Sequence, residues 1–430
     1  MTARAAAVNA LSRVMDGGYS QLVLDGVLKS GGLSTEDRAF CAALTYGVLD
    51  RCITIDYIIR KISAKRASQL ESTVANSLRI GIYQLLFMDK IPAFAAINES
   101  VNIAKAAAGE AAGGFVNAVL RKAAGFDLSD LPDGRSEYDL SVRYSCTPWI
   151  VHRLCTDLGV DKCESTLRRF LSTPDIYARV NTTITTASAV AKSINSQLGC
   201  DGASIVNERC IKLTGTGNIE QLDAYKNGHF HVQDLSSQAC ADAVHAAEDM
   251  KVLDVCAAPG GKSFTLAENM NGRGSVVACD LHPHRVKLIS DGARRLHLDN
   301  VTASLNDAAV YNQSLGSFDR VLCDVPCSGL GIIGRKPDIK FKKEAEIASL
   351  PQIQSEILNT SVQYCAVGGT VTYSTCTLLR AENNEVFDRF LAEHGNFEPL
   401  PIFDGDYCKT FLYETDRTDG FFVAAAKRVR

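Results

Sequence analysis

The chain lacks the features that would place it in a membrane or in a secretory compartment. No apolar run among its 430 residues approaches the roughly 18 residues of a membrane-spanning helix, which excludes an integral membrane protein. Its 15 cysteines include no CxxC pair and are scattered from Cys41 to Cys408. Such an odd, unclustered set argues against a secreted disulfide scaffold and against a clustered zinc site. We therefore expect a cytoplasmic protein without membrane or metal association, whose thiols are mostly reduced and buried.

The sequence also lacks a large net charge, since 45 basic and 49 acidic residues leave a formal charge of −4. The charge is nevertheless uneven. The first 125 residues hold 14 Lys and Arg against 10 Asp and Glu, so this part is positive and the remainder is negative. An excess of positive charge on an amino-terminal module favours a polyanionic partner. Because a single domain rarely exceeds about 250–300 residues, we expect two or three domains.

The hydrophobic periodicity changes along the chain and indicates the domain limits. Helical spacing predicts an all-α domain over residues 1–126, and the polar, turn-rich stretch 127–140 is predicted to be a linker. Mixed signals over 141–235 predict a small intermediate α/β subdomain. Residues 236–430 alternate short apolar strands with helices, which is typical of a doubly wound, Rossmann-like α/β domain with a buried parallel sheet.

A glycine-containing loop follows the first predicted strand of that domain. The strand ends at Cys256, and the loop 257–261 leads into a helix that starts near Lys262. Glycines allow the backbone to approach a ligand closely, and ligands bind outside the carboxyl ends of parallel strands. Asp280 ends the next strand, where an acid can accept hydrogen bonds from ribose hydroxyls. Asp307 and Asp324 end later strands and could line the same cleft.

The identity of the cofactor follows partly by elimination. The segment Gly260–Ser263 superficially resembles a phosphate-binding P-loop, but that motif needs a glycine where Cys256 stands. The dinucleotide fingerprint G-x-G-x-x-G is also absent. A cofactor with ribose but no phosphate, such as S-adenosylmethionine, fits this pattern best, and a purely structural glycine turn is the alternative.

Two cysteines occupy positions that differ from the rest. Cys327 and Cys376 each follow a predicted strand on the cofactor side of the sheet, whereas the cysteines inside apolar runs are expected to be buried hydrophobes. A thiolate is a strong nucleophile. Thiols beside a methyl donor suit methylation of C5 in a cytosine, because addition of a thiolate to C6 makes C5 nucleophilic. A base must then remove the C5 proton, and a carboxylic acid such as Asp324 would stabilise the adduct near N3. This chemistry does not say which cysteine attacks.

Several segments together resemble a known family. The sequences DVCAAPGGK (254–262), DVPCSG (324–329) and STC (374–376) are similar to motifs of the NOL1/NOP2/Sun family of RNA cytosine-5 methyltransferases. The amino-terminal segments LRIGIYQLL (78–86), INESV (97–101) and GFVNAVLR (114–121) resemble the NusB antitermination fold. The resemblance covers nearly the whole chain and implies an all-α NusB-like domain joined to a Rossmann-like methyltransferase domain that uses S-adenosylmethionine.

The resemblance also implies roles for individual residues. Cys376 would be the nucleophile, Cys327 would assist proton removal and release, and Asp324 would complete the catalytic set. The cofactor positions carried over are Cys256, Ala257, Ala258, Pro259, Gly260, Gly261, Lys262, Asp280, Asp307 and Asp324. The pairing of a NusB-like domain with a methyltransferase domain implies that the RNA partner is 16S ribosomal RNA, either free or in a partly assembled small subunit. We expect the enzyme to be a monomer. A transfer RNA substrate, or a non-catalytic RNA-binding or antitermination factor, is the alternative.

The sequence departs from the family pattern at three positions: Gly334 and Phe341 stand where the family has arginine and tryptophan, and Arg380 stands where it has proline. The same region contains Arg335, Lys336 and Lys340. We expect these cations to lie beside the cleft, either contacting RNA phosphates or forming a solvated basic loop.

Overall fold

The computed structural model describes residues 1–430, which form two compact units. Unit 1 contains residues 1–172 and 333–342, and unit 2 contains residues 173–332 and 343–430. These limits differ from the predicted domain limits, because residues 141–172 belong with the amino-terminal helices and 173–235 with the carboxyl-terminal sheet. None of the helices combines the length and the apolar character that crossing a membrane requires.

Unit 1 is built from helices. They are α1 (Ala3–Met15), α2 (Ser20–Ser30), α3 (Thr35–Ser63), α4 (Ser72–Phe87), α5 (Ala93–Ala123, interrupted at Gly109), α6 (Glu137–Arg143), α7 (Pro148–Leu158) and α8 (Val160–Phe170). Side-chain caps fix several starts: Thr2 accepts from the backbone of α1, and Ser34 from that of α3. Apolar faces of α1 to α5 form the cores of the unit. The expected all-α amino-terminal module is therefore present.

The predicted linker 127–140 is tied to its surroundings and does not form a free tether. The guanidinium of Arg143 donates hydrogen bonds to the carbonyl groups of Pro132 and Gly134. Helix α6 begins inside the stretch, after the capping residue Ser136. The hydroxyl of Thr54 on α3 donates 2.6 Å to the carbonyl of Val142. These bonds explain why the helices after residue 137 belong to unit 1.

Residues 333–342 complete unit 1 and correct one expectation. Lys340 does not lie beside a cleft, because its side chain is fully buried and its ammonium lies 3.0 Å from the carbonyl oxygen of Asp50 and 3.6 Å from Asp50 Oδ1. Phe341 packs against the helical core, and the indole of Trp149 donates to the carbonyl of Lys342. A buried lysine can be accommodated only with such partners, so this residue anchors the segment. Lys336 is exposed, in agreement with the expected basic loop.

Unit 2 begins with a small antiparallel sheet in the order β2–β3–β1–β4. Its elements are β1 (Ile176–Val180), α9 (Ala187–Leu198), β2 (Ala203–Asn207), β3 (Cys210–Leu213), α10 (Asp223–Lys226) and β4 (Phe230–Val232). The side chain of Asn181 donates 2.7 Å to the carbonyl of Leu296, and Arg295 donates to the carbonyls of Tyr225 and Phe230. These bonds join the small sheet to the rest of unit 2.

The large sheet of unit 2 has eight strands. Its elements are α11 (Leu235–Ala243), β5 (Lys251–Asp254), α12 (Gly261–Asn269), β6 (Ser275–Asp280), α13 (Pro283–Arg295), β7 (Val301–Leu305), β8 (Phe318–Asp324), α14 (Glu344–Ile347), α15 (Leu350–Ser361), β9 (Cys365–Thr375), α16 (Asn384–Glu393), β10 (Phe397–Pro399), β11 (Cys408–Phe411), α17 (Tyr413–Asp416) and β12 (Phe421–Arg428). The strand order is β10–β12–β9–β8–β5–β6–β7, with β11 also paired to β12. Strands β5 to β9 are parallel, and β10 to β12 add antiparallel pairs at one side.

Helices cover both faces of this sheet, as a doubly wound fold requires. Leu253 faces one core with residues of α15 and α16, and its neighbour Val252 faces the other with residues of α11 to α13. Val321 and Leu322 alternate in the same way. Successive residues of a strand point to opposite faces, so both faces of a central strand must be apolar. This explains the continuous apolar runs in the sequence.

Candidate active site

The candidate site lies where the parallel strands of the large sheet end. Strands β8 and β9 are in a register that pairs Asp324 with Ser374. Cys327 and Cys376 follow these two residues closely in the chain. Because the carboxyl ends of parallel strands meet at one edge, the register brings the two predicted catalytic cysteines together.

The two thiols are in direct contact. The Sγ atoms of Cys327 and Cys376 lie 3.2 Å apart, so one thiol hydrogen-bonds the sulfur of the other. The hydrogen bond to Cys376, together with burial, raises the pKa of Cys327 well above its usual range. All fifteen cysteines are free thiols. The pair therefore holds two sulfur atoms that can exchange a proton within one site.

A carboxylate with two donors stands beside this pair. Lys262 Nζ donates 2.7 Å to Asp324 Oδ2, and the hydroxyl of Ser374 donates 2.8 Å to Asp324 Oδ1. Burial opposes the charge of Lys262, but the adjacent Asp324 carboxylate outweighs it and raises the pKa of the ammonium. The ammonium also lies 4.9 Å from the ring centre of Phe421. Asp324 is thus held in one orientation by charged and neutral donors.

The glycine loop between β5 and α12 has a backbone conformation that suits close approach of a ligand to the main chain. Gly260 has φ of 111°, and a Cβ there would collide with the ring of Phe264. The amide of Ala257 donates 2.7 Å to the carbonyl of Cys279, which ties the loop to β6. Burial is the main cause that raises the pKa of Cys256, so this residue is a neutral thiol beneath the loop. Both the positive φ and the contact with Phe264 therefore require glycine at position 260.

The acids at the ends of β6 and β7 differ in their surroundings. Asp280 is buried, accepts from the backbone amide of His282 at 3.1 Å and pairs with Arg285 at 3.2 Å. Arg285 also donates to the carbonyl of Ala258, so it links Asp280 to the glycine loop. Asp307 is exposed and accepts from the amide of Ala309 in the following turn.

These residues suit a cofactor that carries ribose and no phosphate. The lysine of the loop is engaged by Asp324, so the loop offers backbone groups and leaves no cation for a phosphate. A carboxylate follows the next strand, where ribose hydroxyls are recognised in such sheets. Gly260, Gly261 and Asp280 would hold the nucleoside part of S-adenosylmethionine.

The structure shows a further group that the sequence did not reveal. Glu382 is buried, and its Oε2 accepts from the amide of Ser328 and from Gln354 Nε2, each at 2.8 Å. Gln354 Nε2 also lies 3.0 Å from the carbonyl oxygen of Pro326. These bonds hold the residues on both sides of Cys327. Glu382 lies in a polar stretch that gave no signal of burial.

Comparison with known proteins agrees with this architecture. A family model described as 16S rRNA methyltransferase RsmB/F matches residues 241–427, and the NusB family model matches residues 1–125. The chain is 36% identical over 433 residues to the "probable ribosomal RNA small subunit methyltransferase B" of Bacillus subtilis, with 95% of each chain covered. It is 30% identical to the ribosomal RNA small subunit methyltransferase B of Proteus mirabilis, with 98% of this chain and 97% of the relative covered.

Solved structures share the fold. The crystal structure of PH0851 has a TM-score of 0.81 at 23% identity and covers 99% of both chains. NSun6 from Pyrococcus horikoshii, solved with the S-adenosylmethionine analogue SFG, has a TM-score of 0.57 at 18% identity and covers 65% of this chain and 98% of its own.

A Rossmann-like sheet with this glycine loop, preceded by a NusB-like helical module, defines an S-adenosylmethionine-dependent RNA methyltransferase. The expected fold class and cofactor are thereby confirmed. The chain belongs to the RsmB/F family of 16S rRNA methyltransferases.

Proposed function

We propose that the protein methylates C5 of a cytosine in 16S rRNA through a covalent bond between Cys376 and C6 of the base. The observation that carries the proposal is the pair of thiols 3.2 Å apart beside an oriented carboxylate. Methylation at a pyrimidine carbon needs a nucleophile that activates the ring and a base that releases the product. Cys376, Cys327 and Asp324 provide these groups on adjacent strand ends.

The proposed sequence of events uses each residue once. The Cys376 thiolate adds to C6, and the electron density that moves toward C5 makes this carbon nucleophilic. Asp324, held by Lys262 and Ser374, hydrogen-bonds the N3 edge of the adduct. When bound, S-adenosylmethionine supplies the methyl group that C5 takes up. Cys327 first gives up its own proton to solvent, and as a thiolate it then accepts the remaining C5 proton. The C5–C6 double bond re-forms, and the C6–sulfur bond breaks to return the Cys376 thiolate.

The choice of 16S rRNA rests on family membership and on the names of the full-length relatives. The target base must leave its stack to reach Cys376, which is easiest in a loop or in RNA that is not yet fully assembled. The positively charged NusB-like domain would dock the RNA by salt-sensitive contacts. Such a substrate places the enzyme in the cytoplasm, where its thiols stay reduced.

Labelled S-adenosylmethionine and three RNA substrates test the proposal directly. The purified protein should form 5-methylcytosine in 16S rRNA or small subunits and leave transfer RNA unlabelled. Cys376→Ala should lower the rate by at least about 10³-fold, as expected for loss of a nucleophile. Cys200→Ala, which alters an exposed thiol, is the control and should behave as wild type. Normal product formation by Cys376→Ala would disprove the covalent role, and labelling of transfer RNA alone would favour the other substrate.

A second variant separates attack from release. Cys327→Ala should trap a methylated protein–RNA adduct that survives a denaturing gel, because the C5 proton is no longer removed. The double variant Cys327→Ala/Cys376→Ala should give no adduct. If Cys327→Ala turns over fully and yields only free enzyme, this residue has no role in release. Failure to bind S-adenosylmethionine in calorimetry would favour a non-catalytic RNA-binding factor.

A further inference from the structure

Two buried side chains, the carboxylate of Glu382 and the amide of Gln354, form hydrogen bonds to the backbone on either side of Cys327. Glu382 Oε2 accepts from the amide of Ser328, the residue after Cys327. Gln354 Nε2 donates to the carbonyl of Pro326, the residue before it, and to Glu382 Oε2 as well. The two side chains therefore hold the backbone on both sides of the thiol.

The segment that contains Glu382 is itself bonded to β9, the strand that leads to Cys376. The hydroxyl of Tyr373 donates 2.6 Å to the carbonyl of Glu382. The adjacent Asn383 accepts from the hydroxyl of Thr375 at 2.5 Å and donates to the carbonyl of Thr377 at 3.1 Å. Glu382 thus connects the segment of one cysteine to the segment of the other.

The carboxylate in this connection is buried without a cation as its partner. Glu382 is 2% exposed, its two donors are neutral, and its Oε1 has no hydrogen-bond partner. Burial of a carboxylate oxygen without a partner is costly, and such groups concentrate where function requires them. The nearby Asp324 carboxylate has Lys262 as its counter-ion. What distinguishes Glu382 is that its bonds, together with those of Gln354, fix the backbone on both sides of Cys327.

We propose that Glu382 is a positioning residue that holds Cys327 against Cys376 for the proton removal that releases the product. The proposal rests on the role of Cys327 given above and extends it to a residue that does not touch the substrate. It predicts a defect in release, with attack and cofactor binding preserved, because Cys376 directly follows β9.

The test compares Glu382→Ala, Glu382→Gln and Glu385→Ala with wild type. Glu385 is an exposed residue in the first turn of α16, three positions after Glu382, and serves as the matched control. Glu382→Ala should accumulate protein–RNA adduct and release product about tenfold more slowly, as expected when a reacting group is displaced. Its affinity for S-adenosylmethionine should stay unchanged. Glu382→Gln keeps an oxygen acceptor and should restore release, and Glu385→Ala should match wild type.

Each other outcome overturns the proposal. Joint loss of adduct, cofactor binding and thermal stability in Glu382→Ala would show a role in folding only, and wild-type release in that variant would show no role. A Glu382→Gln variant as defective as Glu382→Ala would show that the acceptor oxygen is not what matters. If Glu382→Ala does not fold, Gln354→Ala removes the bond to Pro326 and should slow release in the same way.

A measurement without RNA separates this proposal from the proposed function. Iodoacetamide labelling followed by peptide mass spectrometry reports the reactivity of each thiol. In Glu382→Ala the labelling rate of Cys327 should change by about fivefold or more, since thiol reactivity follows its surroundings, and that of Cys376 should change less, since this residue loses only its contact with the Cys327 thiol. An unchanged rate at Cys327 overturns the positioning role even if methylation is confirmed. A changed rate supports it even if the substrate proves to be another RNA.

Discussion

Lys262 Nζ lies 2.7 Å from Asp324 Oδ2, so the last residue of the glycine-loop motif contacts the carboxylate for which we propose a catalytic role. The sequence resemblance placed Lys262 with the cofactor-binding residues. The observed contact connects the start of α12 to the end of β8 and gives Lys262 a role in orienting Asp324.

Substitution of Lys262 should separate cofactor binding from catalysis. Lys262→Met removes the ammonium and leaves Asp324 without its charged donor, so methyl transfer should fall by about 10²-fold. The affinity for S-adenosylmethionine, measured by calorimetry, should change less than about threefold, because the ammonium is engaged by Asp324 and is not expected to bind the cofactor. Lys251→Met alters an exposed lysine at the start of β5 and should have neither effect. A large loss of cofactor affinity in Lys262→Met would show that Lys262 binds the cofactor, as the sequence resemblance implies.

A glycine contact supports the position of Cys376. The amide of Gly331 donates 3.0 Å to the carbonyl of Cys376, and the carbonyl of Gly331 accepts from Gly420 at 3.0 Å. A Cβ at position 331 would collide with the carbonyl oxygen of Gly420. Gly331→Ala should therefore destabilise the protein by about 2 kcal/mol or more and lower methyl transfer as well.

The control for this substitution is Gly395→Ala, because a Cβ at position 395 would meet nothing within 4 Å. Thermal denaturation and the methylation rate are the two measurements. Equal melting temperatures for the two alanine variants would contradict the close packing of Gly331.

Asp254 should make stability depend on pH. Burial is the main cause that raises its pKa to about 7, against about 3.9 in an unfolded chain. Between these values the folded state holds a proton that the unfolded state has lost. The stabilising contribution of the group is therefore complete below about pH 4 and is lost as pH rises to about 7, at about 1.4 kcal/mol per pH unit.

Asp254→Asn tests this effect. Asparagine cannot ionise but keeps an oxygen for the hydroxyl of Ser263, which donates 2.7 Å to Asp254 Oδ2. In chemical denaturation, the stability of the variant relative to wild type should rise from pH 5 to 7 and stay level above about pH 7. Asp201→Asn, at an exposed position, should show no such trend. A constant difference across the range would refute the protonated state of Asp254.

The pair of buried Lys340 and half-buried Asp50 should stabilise unit 1 without contributing to RNA affinity. Lys340→Met leaves the half-buried Asp50 carboxylate without this cation, which should cost about 1–3 kcal/mol. Addition of Asp50→Asn should recover most of this loss, because the unpaired charge is then removed. Chemical denaturation of the single and double variants measures both effects.

Exposed Lys336 provides the matching control. Lys336→Met should leave stability unchanged and reduce the salt dependence of RNA binding by about one unit of slope, whereas Lys340→Met should leave that slope unchanged. A reduced slope in Lys340→Met would mean that this ammonium contacts RNA.

The sequence was most informative where one local pattern determines position. Apolar runs predicted strands β5, β6 and β8, and the residues that follow them came together because parallel strands share one edge. The sequence predicts that Cys327 and Cys376 lie at the ends of neighbouring strands. It does not predict the distance between their sulfur atoms, because this distance depends on the register that pairs Asp324 with Ser374.

The sequence was least informative where polar residues are buried by distant partners. Lys340 stands in a basic stretch, and its sequence context predicts a position at a cleft. In the structure its ammonium instead contacts the backbone carbonyl and the carboxylate of Asp50, which is far away in the chain. Glu382 stands in a polar stretch, and only Ser328 and Gln354 explain its burial. Local patterns describe average solvent exposure, and they carry no information on which distant group will pair with a charge.

The insertion of residues 333–342 into unit 1 has a consequence for synthesis of the protein. A ribosome completes the helices of residues 1–172 long before it reaches Lys340. During that interval the nascent amino-terminal domain has Asp50 without its cation and a core without Phe341. The domain that would bind RNA therefore reaches its final structure only after most of the parallel strands of the methyltransferase sheet have been translated.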